Sequence, residues 1–559
     1  MDDTARPDAA ALATYLLAGV AAVLGSYAAA GFTPGFVVAP VDHALTVLAP
    51  GVLVAASIQL LGSLGQSLVL VSAIVLSVLL FAGVAALVDR GVAATLAAAG
   101  RAGDGVAARV GAAVGTLLVG GGIALWLTGA LAPSATAGAG AAAVVGLAAL
   151  RPAGVAPTDQ PRRRLLRAGA GAAAVAAAGW AARIGTGDAR DRDAGGRDDQ
   201  AASRRSGAGT AEGDAAGQGE RTPDGGGDGE GEMDDADTPT ATPEPSNVDR
   251  LLAAARERSL DVAGIDALVT DTRKFYNVDI NSVDPDLGAE EWSLRLTGAV
   301  DEERTVDYET LTSLPGEHRF VTLQCVGDGL NGRKIDTALW TGVPAMELLG
   351  DLPDECCVML RAADDYYQAF PLAALEDALF AYEMNGEPLP RGHGHPVRVL
   401  IPGHWGEINV KWVTEVEVLT REKKGYWEKR GWHGTGPVNT IAKLHAINKL
   451  DDGRIQVGGH AYAGTRGIDR VEVSVDGGET WTDATLSEPL PGRRAVDADG
   501  EPSGTAADAW RMWEHVYEAD APHDVVVRAT DGNGDLQAKK KRVAFPSGAT
   551  GWVEKPVDP

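Results

Sequence analysis

Long uncharged apolar stretches in the first third of the chain most constrain how it can fold. Each of the clearest stretches supplies about 20 apolar or small residues, the length that an α-helix needs to cross the hydrocarbon core of a bilayer. They are residues 11–32, 66–88 and 110–132, with further candidates at 37–61, 134–150 and 165–182. Asp42, His43 and Pro50 weaken the candidate at 37–61. The sequence therefore predicts an α-helical membrane anchor of five or six helices over residues 1–184.

The arginines predict how this anchor is oriented. Arg90, Arg101 and Arg109 lie in one loop, and a second group from Arg151 to Arg167 lies in another. The positive-inside rule places both groups in the cytoplasm, so a last span at 165–182 would carry residues 185–559 to the outer face of the cell membrane. The segment Arg162–Arg167 before that span also fits an internal twin-arginine export signal. A plain positive flank of a helix explains it equally well.

The anchor lacks the residues that haem ligation needs. Haem iron takes axial ligands such as His or Met, but His43 is the only histidine before residue 318, and Met1 is the only methionine in residues 1–184. We therefore expect no haem, and we interpret the helices as an anchor rather than as a redox subunit.

Acidic residues dominate the chain outside the anchor. Residues 185–247 contain 16 acidic residues against 6 arginines and no aromatic residue, a composition that cannot bury a core and predicts a disordered acidic linker. The net charge of the chain is −27, which disfavours nucleic-acid binding because phosphate contacts need clustered Lys and Arg. The acidic surface is typical of halophilic proteins. Three cysteines without paired spacing predict no disulfide framework.

Two globular domains are predicted after the linker. In residues 248–438 short helical segments alternate with strands, which indicates an α+β domain; residues 358–370 read as a hairpin with its turn at 362–365. Residues 439–550 read as short strands joined by turns such as Asp476-Gly-Gly478. This pattern favours an immunoglobulin-like β-sandwich.

Cys325 is the most informative single residue of the first globular domain. It ends the predicted strand at 319–324 and opens a Gly-rich turn that reaches Gly332. A thiolate in that position suits a soft metal or a redox group. A small buried apolar side chain is the alternative that the local sequence leaves open.

Several motifs give residues 265–550 a recognisable order. They are Lys274-Phe-Tyr-Asn277, Thr322-Leu-Gln-Cys-Val-Gly327, Trp340-Thr-Gly-Val-Pro344, Met384-Asn-Gly-Glu-Pro-Leu-Pro390, His393-Gly-His-Pro-Val-Arg398, Pro402-Gly403, Lys411-Trp412 and the run from Gly458 to Trp481. In this order the motifs resemble the sulfite oxidase-like molybdopterin oxidoreductases. The preceding anchor and linker look like a prokaryotic, haloarchaeal branch of that family.

The resemblance implies a molybdenum–molybdopterin cofactor and a set of site residues. Cys325 would be the thiolate ligand of molybdenum, and Arg398 and Lys411 would bind the cofactor phosphate. Further cofactor contacts would come from Tyr276, Asn277, Arg361, His393, Asn409 and Val410. Without the resemblance, Arg398 could pair with a structural carboxylate, His393 could be a loop-tip residue, and Lys411 could protect a strand edge.

The chain departs from the sulfite oxidases at two places that bear on the substrate. Phe275-Tyr-Asn-Val-Asp279 stands where they carry an Arg-Asn-His motif and is closer to the protein methionine sulfoxide reductases. Asp328 stands where they have Asn; a carboxylate there would repel sulfite and could move a proton instead. Trp340 and Tyr426 resemble residues on the substrate side, and Arg333 is a candidate anion contact.

The predicted function is oxygen-atom transfer to or from a small oxyanion or sulfoxide. Electrons would be exchanged with a separate partner, and the β-sandwich would permit a homodimer. The alternative is a membrane-anchored surface module that has kept the fold without catalysis.

Overall fold

The structure is a computed structural model that describes residues 9–49, 63–100, 105–149, 245–499 and 504–559. The predicted span at 165–182 lies outside the described residues, as does almost all of the predicted linker at 185–247. The helices and strands below therefore belong to these ranges alone.

Apolar helices form the first part of the described chain. They are α1 (Ala9–Ala30), α2 (Ala39–Leu48), α3 (Ser63–Ala98), α4 (Gly105–Thr128) and α5 (Leu131–Ala149). By length and composition, three stretches could cross a membrane: Ala9–Ala30, Ser67–Ala98 and Ala107–Thr128. The three clearest predicted stretches thus correspond to helices of sufficient length, while membrane insertion itself stays a prediction.

Small residues let neighbouring helices approach closely in this part of the fold. A side-chain carbon added at Gly138 of α5 would lie 2.6 Å from the Leu117 carbonyl oxygen of α4. Substitution there would therefore force the two helices apart. The Gly/Ala-rich composition of the region is what allows this backbone contact.

Helix α2 lies within the span predicted at 37–61, and two of its polar residues contact the following domain. The Asp42 carboxylate, 1% exposed, accepts hydrogen bonds from the Ser282 backbone N–H at 2.8 Å and the Ser282 hydroxyl at 3.0 Å. His43 Nδ1 lies 3.1 Å from the side-chain oxygen of Asn281. Asp42 and His43 thus attach α2 to the following domain. Residues 50–62 lie outside the described residues.

Three α-helices and twenty strands follow in the described part of the globular region. The helices are α6 (Asn247–Glu257), α7 (Tyr308–Ser313) and α8 (Ala345–Leu349). The strands of the first domain are β1 (Ser293–Gly298), β2 (Arg304–Asp307), β3 (Glu317–Gln324), β4 (Ile335–Pro344), β5 (Cys357–Ala362), β6 (Tyr367–Pro371), β7 (Leu379–Met384), β8 (Glu387–Pro388), β9 (Arg398–Leu400) and β10 (Val413–Leu419). Those that follow are β11 (Ile441–Ala442), β12 (Ala446–Lys449), β13 (Ile455–Tyr462), β14 (Ile468–Ser474), β15 (Thr482–Asp483), β16 (Thr485–Leu486), β17 (Arg494–Ala495), β18 (Arg511–Tyr517), β19 (His523–Asp531) and β20 (Val553–Val557).

The first globular domain contains one mixed sheet, in which β1 pairs parallel with β10, and one antiparallel sheet; together they position the candidate site residues. One sheet has the order β2-β1-β10-β5-β6, and the other has β17-β3-β4-β7-β8 with β9 paired to β7. Cys325 directly follows β3, Arg398 opens β9, and Lys411 precedes β10 by two residues. The α+β prediction is confirmed, as is the hairpin at 358–370, which is β5 paired antiparallel with β6.

The last domain consists of two antiparallel sheets with a common apolar core. The sheets are β11-β13-β18-β16, with β12 on β13, and β15-β14-β19-β20. Val457 and Trp513 of the first sheet share one buried cluster with Val473 and Val527 of the second. Alternation of apolar and polar residues along these strands produces this core. An immunoglobulin-type connectivity stays a prediction.

The sequence did not indicate that adjacent cysteines would be bonded. Cys356 and Cys357 form a disulfide at the start of β5, while Cys325 is a free thiol. Cys357 packs with Met359 and Leu419 in a small apolar cluster. The free thiol left for chemistry is therefore the one that the sequence singled out.

A buried carboxyl group makes the stability of the folded chain depend on pH. Asp508 is 3% exposed, and burial raises the pKa of its carboxyl group to about 7. The Tyr462 hydroxyl, which donates a hydrogen bond of 2.6 Å to this group, lowers the pKa but does not offset the effect of burial. Because its folded-state pKa lies above the unfolded value of about 3.9, its stabilising effect is complete below about pH 4 and is lost as the pH rises to about 7. We expect Asp508→Asn to reduce the fall in stability over that window, by about 1.4 kcal/mol per pH unit.

The measurement is the thermal unfolding midpoint of the full chain in detergent from pH 4 to pH 8. Asp520→Asn is the matched control, because Asp520 is exposed and its replacement should leave the pH profile unchanged. Equal slopes in wild type and Asp508→Asn would contradict the assignment.

Candidate active site

One cavity of about 540 Å³ brings most of the candidate residues together. Nine of the residues singled out in the sequence line it: Tyr276, Asn277, Cys325, His393, Arg398, Asn409, Val410, Lys411 and Tyr426. Leu45 of α2 and Leu68 of α3 also contribute to its wall. Loops at the strand ends of the first domain and residues of the apolar helices therefore line the cavity together.

Cys325 lies in the cavity wall at the end of β3. Its backbone N–H donates to the Lys334 carbonyl at 3.0 Å, and its own carbonyl accepts from the Asp328 N–H at 3.0 Å. Burial raises the pKa of the thiol to about 11, although the nearby Lys334 lowers it. The free thiol is thus protonated at neutral pH, and a bound cationic metal would have to displace its proton.

Arg398 presents a buried, partly satisfied guanidinium group to the cavity. The residue is 4% exposed, and its terminal nitrogens donate to the carbonyls of His393 and Asn409, both at 3.1 Å. Its Nε has no hydrogen-bond partner among the described residues. Burial lowers its pKa to about 10, so the group stays charged at neutral pH. A buried cation with an unused donor fits an anionic ligand.

Lys411 supplies a second cation beside Asn277. Its Nζ donates to the Asn277 side-chain oxygen at 2.5 Å and to the Gly392 carbonyl at 2.8 Å, and it contacts the Asp279 carboxylate. Burial lowers the pKa of Lys411, while Asp279 raises it. Lys411, Asn277 and Arg398 together make this part of the cavity a candidate phosphate site.

His393 and Asn409 support this cationic region in different ways. Burial first, and then Arg398 and Lys411, lower the pKa of His393 to about 4, so its ring is neutral and one nitrogen can accept a hydrogen bond. The Asn409 side chain accepts from the Ile401 N–H at 2.6 Å and donates to the Trp405 carbonyl at 3.0 Å. Asn409 therefore fixes the loop rather than offering its amide to a ligand.

Four other residues singled out in the sequence do not line the cavity. Asp328 is held by an ion pair with Lys443 at 2.5 Å. Arg361 of β5 pairs with Glu417 at 2.6 Å. Trp340 is fully buried, and its ring centre lies 5.1 Å from the guanidinium carbon of Arg398. Arg333 is exposed. For Asp328, Arg361 and Trp340, a residue distant in sequence determines where the side chain lies.

The cavity also contains residues that the sequence reasoning missed. Glu407 accepts from the Gly434 N–H at 2.8 Å through one oxygen, and its other oxygen has no partner among the described residues. Burial, followed by the nearby Glu428, raises its pKa to about 8. Other lining residues that the sequence did not mark as site residues include Lys334, Asp364, Tyr366, Trp427 and Trp432. A local signal existed only for Glu407, which lies within the segment that leads to Asn409.

The residues present fit a molybdopterin. A soft sulfur ligand for the metal, a buried Arg with an unused donor and a nearby Lys lie in one cavity. This donor set matches the combination of a thiolate-bound metal and an anionic phosphate.

Two family models match the globular part of the chain. Residues 280–427 match the oxidoreductase molybdopterin-binding domain, and residues 438–545 match the Mo-co oxidoreductase dimerisation domain. The boundary between the two matches falls between β10 and β11, where the sheets of the first domain end and those of the last domain begin.

Curated relatives match the same part of the chain. Mitochondrial sulfite oxidase of Mus musculus is 30% identical over 307 residues, which cover 45% of this chain and 54% of the relative. Sulfite oxidase of Arabidopsis thaliana is 26% identical over 331 residues, 49% of this chain and 83% of the relative. The chain thus spans about half the length of the mitochondrial relatives. Among solved structures, the sulfane dehydrogenase SoxCD from Paracoccus pantotrophus aligns with a TM-score of 0.42 at 19% identity, over 53% of this chain and 82% of that one.

Proposed function

We propose that this chain, which belongs to the sulfite oxidase-like family of molybdopterin-dependent oxidoreductases, transfers an oxygen atom to or from a small sulfur oxyanion or sulfoxide. The observation that carries the proposal is the single cavity that joins the thiol of Cys325 to the cations of Arg398 and Lys411. A scaffold that had lost catalysis would have no reason to bury these costly charges together.

Six residues of the cavity have a defined part in this proposal. Cys325 would hold the metal, Arg398 and Lys411 would bind the phosphate of the pterin, and the backbone around Asn409 and Val410 would shape the pocket. The bound group would supply the two-electron oxygen-transfer chemistry, and the protein orients the substrate beside it. Tyr426, whose buried hydroxyl has no partner among the described residues, would contact the substrate.

The position of Asp328 favours a sulfur oxyanion as substrate. Its carboxylate is neutralised by Lys443 and does not line the cavity, so the expected repulsion of an anion is absent. Three other acids line the cavity. Asp279 is paired with Lys411, and burial raises the pKa of Asp364 to about 7 and that of Glu407 to about 8, which reduces their negative charge at neutral pH. Lys334, which also lines the cavity, would attract an oxyanion.

Three further parts of the proposal concern the setting of the enzyme. The apolar helices would anchor the chain in the cell membrane as a multi-pass protein, with the catalytic domain on the outer face. The match to a dimerisation domain over residues 438–545 supports a homodimer. Electrons would be exchanged with a separate partner, since no group of three or more His, Cys, Asp or Glu side chains among the described residues could hold a second redox metal.

Removal of the Arg398 guanidinium tests the cofactor site. We expect Arg398→Gln to lower the pterin content of the purified full chain by at least about tenfold, because the positive charge and the unused Nε donor that would contact the phosphate are lost. Arg398→Lys should retain an intermediate amount, since it keeps the charge but not the fork geometry. Pterin released by denaturation and quantified by fluorescence gives the measurement.

Arg361→Gln is the matched control, because Arg361 also resembles a cofactor contact but lies outside the cavity. Its pterin content should equal that of the wild type. Circular dichroism should show that both variants are folded. If Arg361→Gln then lost its pterin while Arg398→Gln kept it, the assignment of the cofactor site to this cavity would be wrong.

A further inference from the structure

A second cleft lies on the outer side of β5 and β6, and positive side chains line it. We call it the cationic cleft. Its charged lining residues are Arg361, Arg421, Glu422, Lys423, Lys424 and Lys429. Five of these six are cations, in a chain whose net charge is −27. Such a local reversal of sign produces a field that differs from that of the remaining surface.

Neighbouring acids neutralise only part of this charge. Glu417 lies 2.6 Å from the Arg361 guanidinium and 2.7 Å from the Lys423 ammonium. Arg421 and Lys424 are exposed and form no ion pair with any described residue. The cationic cleft therefore keeps an excess of positive charge that is available to a partner.

Aromatic rings connect the cationic cleft with the candidate active site. Tyr367 lines the cleft, with the Lys429 ammonium 4.4 Å from its ring centre. The Tyr367 ring lies 6.0 Å from that of Tyr426, which lines the cavity of Cys325. The Tyr426 N–H also donates to the Tyr367 carbonyl at 2.9 Å. One pair of contacting rings thus separates the two pockets, a short route for electron transfer.

We propose that the cationic cleft docks an acidic electron-carrier protein. The inference rests on the proposed function, because an oxygen-transfer reaction must exchange electrons with a second molecule. When water supplies an oxygen atom to a sulfur oxyanion, the reaction releases two protons and two electrons. A carrier with a single one-electron centre would therefore dock twice in each turnover, and two carrier molecules would each be reduced once.

The structure of the cleft favours a protein over a small anion. Its unpaired cations are exposed side chains rather than buried donors in a fixed fork, so they attract charge without forming a defined small-ion site. Exposed charges at the rim of an interface act mainly through steering and orientation of a charged partner. The contact with Tyr367 gives such a partner a reason to dock at this position.

Binding of an acidic plastocyanin-type blue-copper protein tests the proposal. The holoenzyme, as the full chain in phosphatidylcholine nanodiscs, is compared with the variant Arg421→Glu/Lys424→Glu by surface plasmon resonance at low ionic strength. The matched control is Lys540→Glu/Arg542→Glu, which reverses two exposed cations in the last domain. We expect Kd to rise about tenfold or more in the cleft variant, and less than about twofold in the control.

Two further readouts separate this proposal from the proposed function. Turnover with a cationic ferrocenium acceptor should be unchanged in the cleft variant, since neither Arg421 nor Lys424 lines the active-site cavity. Absence of turnover in the wild type would refute the proposed function without affecting the binding result. Equal Kd values for wild type and cleft variant would overturn the docking site. Displacement of the probe by sulfate at matched ionic strength, seen in the wild type but not in the cleft variant, would also overturn the proposal in favour of a small-anion site. Binding of phosphatidylserine vesicles that depends on the cleft and is tighter than binding of the probe would overturn it as well.

Discussion

Replacement of Cys325 by serine is expected to lower turnover more than about 100-fold while the chain stays folded and keeps its pterin. Loss of a residue that only hydrogen-bonds a metal ligand already lowers metal affinity or activity about 10–100-fold. Cys325 would be bonded to the metal itself, so a larger loss of activity is expected. Serine keeps the size of the side chain but is a hard ligand that deprotonates far less readily than a thiol. Absorption from thiolate-to-metal charge transfer should disappear with the activity, whereas the pterin fluorescence after denaturation should persist.

The double variant Cys356→Ser/Cys357→Ser is the control for general effects of cysteine loss. Neither residue lines the cavity, so its turnover and its charge-transfer band should match those of the wild type. Full activity and an unchanged spectrum in Cys325→Ser would show that the thiol is a buried structural side chain.

Breaking the ion pair between Asp328 and Lys443 should cause the largest loss of stability. The two side chains are 2% and 1% exposed and lie 2.5 Å apart, and the Lys443 ammonium also donates to the Gly332 carbonyl at 3.0 Å. Lys443→Met leaves the Asp328 carboxylate buried without its partner, which should cost about 3–5 kcal/mol of the free energy of unfolding. Urea unfolding of the full chain in detergent, followed by tryptophan fluorescence, measures the loss.

The double variant Asp328→Asn/Lys443→Met separates the charge effect from packing. It should recover part of the lost stability, since no unpaired charge remains. Lys541→Met, which breaks the exposed pair with Glu554, should cost less than about 1 kcal/mol. A cost below 1 kcal/mol for Lys443→Met would contradict a structural role for the pair and would restore Asp328 as a candidate for proton transfer.

Asp328 also illustrates what the sequence could not reveal. Its position three residues after Cys325 suggested a carboxylate facing the metal, but its partner, Lys443, lies 115 residues further along the chain. Arg361 likewise pairs with Glu415 and Glu417 on a neighbouring strand. Local patterns indicate which residues lie at strand ends, whereas pairing between distant segments determines where a long charged side chain points.

The features that the sequence did predict depend on local order. Cys325, Arg398 and Lys411 each lie at or next to the end of a strand, and short motifs with typical residue spacing marked all three. The apolar stretches predicted α1, α3 and α4 for the same reason, because helix formation and apolar length are local properties. The contact of α2 with Asn281 and Ser282 is long-range, so nothing in residues 37–61 indicated it.

Molybdenum content of the purified full chain, expressed in a host that makes the cofactor, tests the central claim most directly. We expect about one molybdenum atom and one pterin per chain in the wild type, because one cavity contains one Cys325 and one set of phosphate-binding cations. Elemental analysis that finds no molybdenum and no pterin in folded protein would contradict the account, and would favour a membrane-anchored interaction module that has kept the fold.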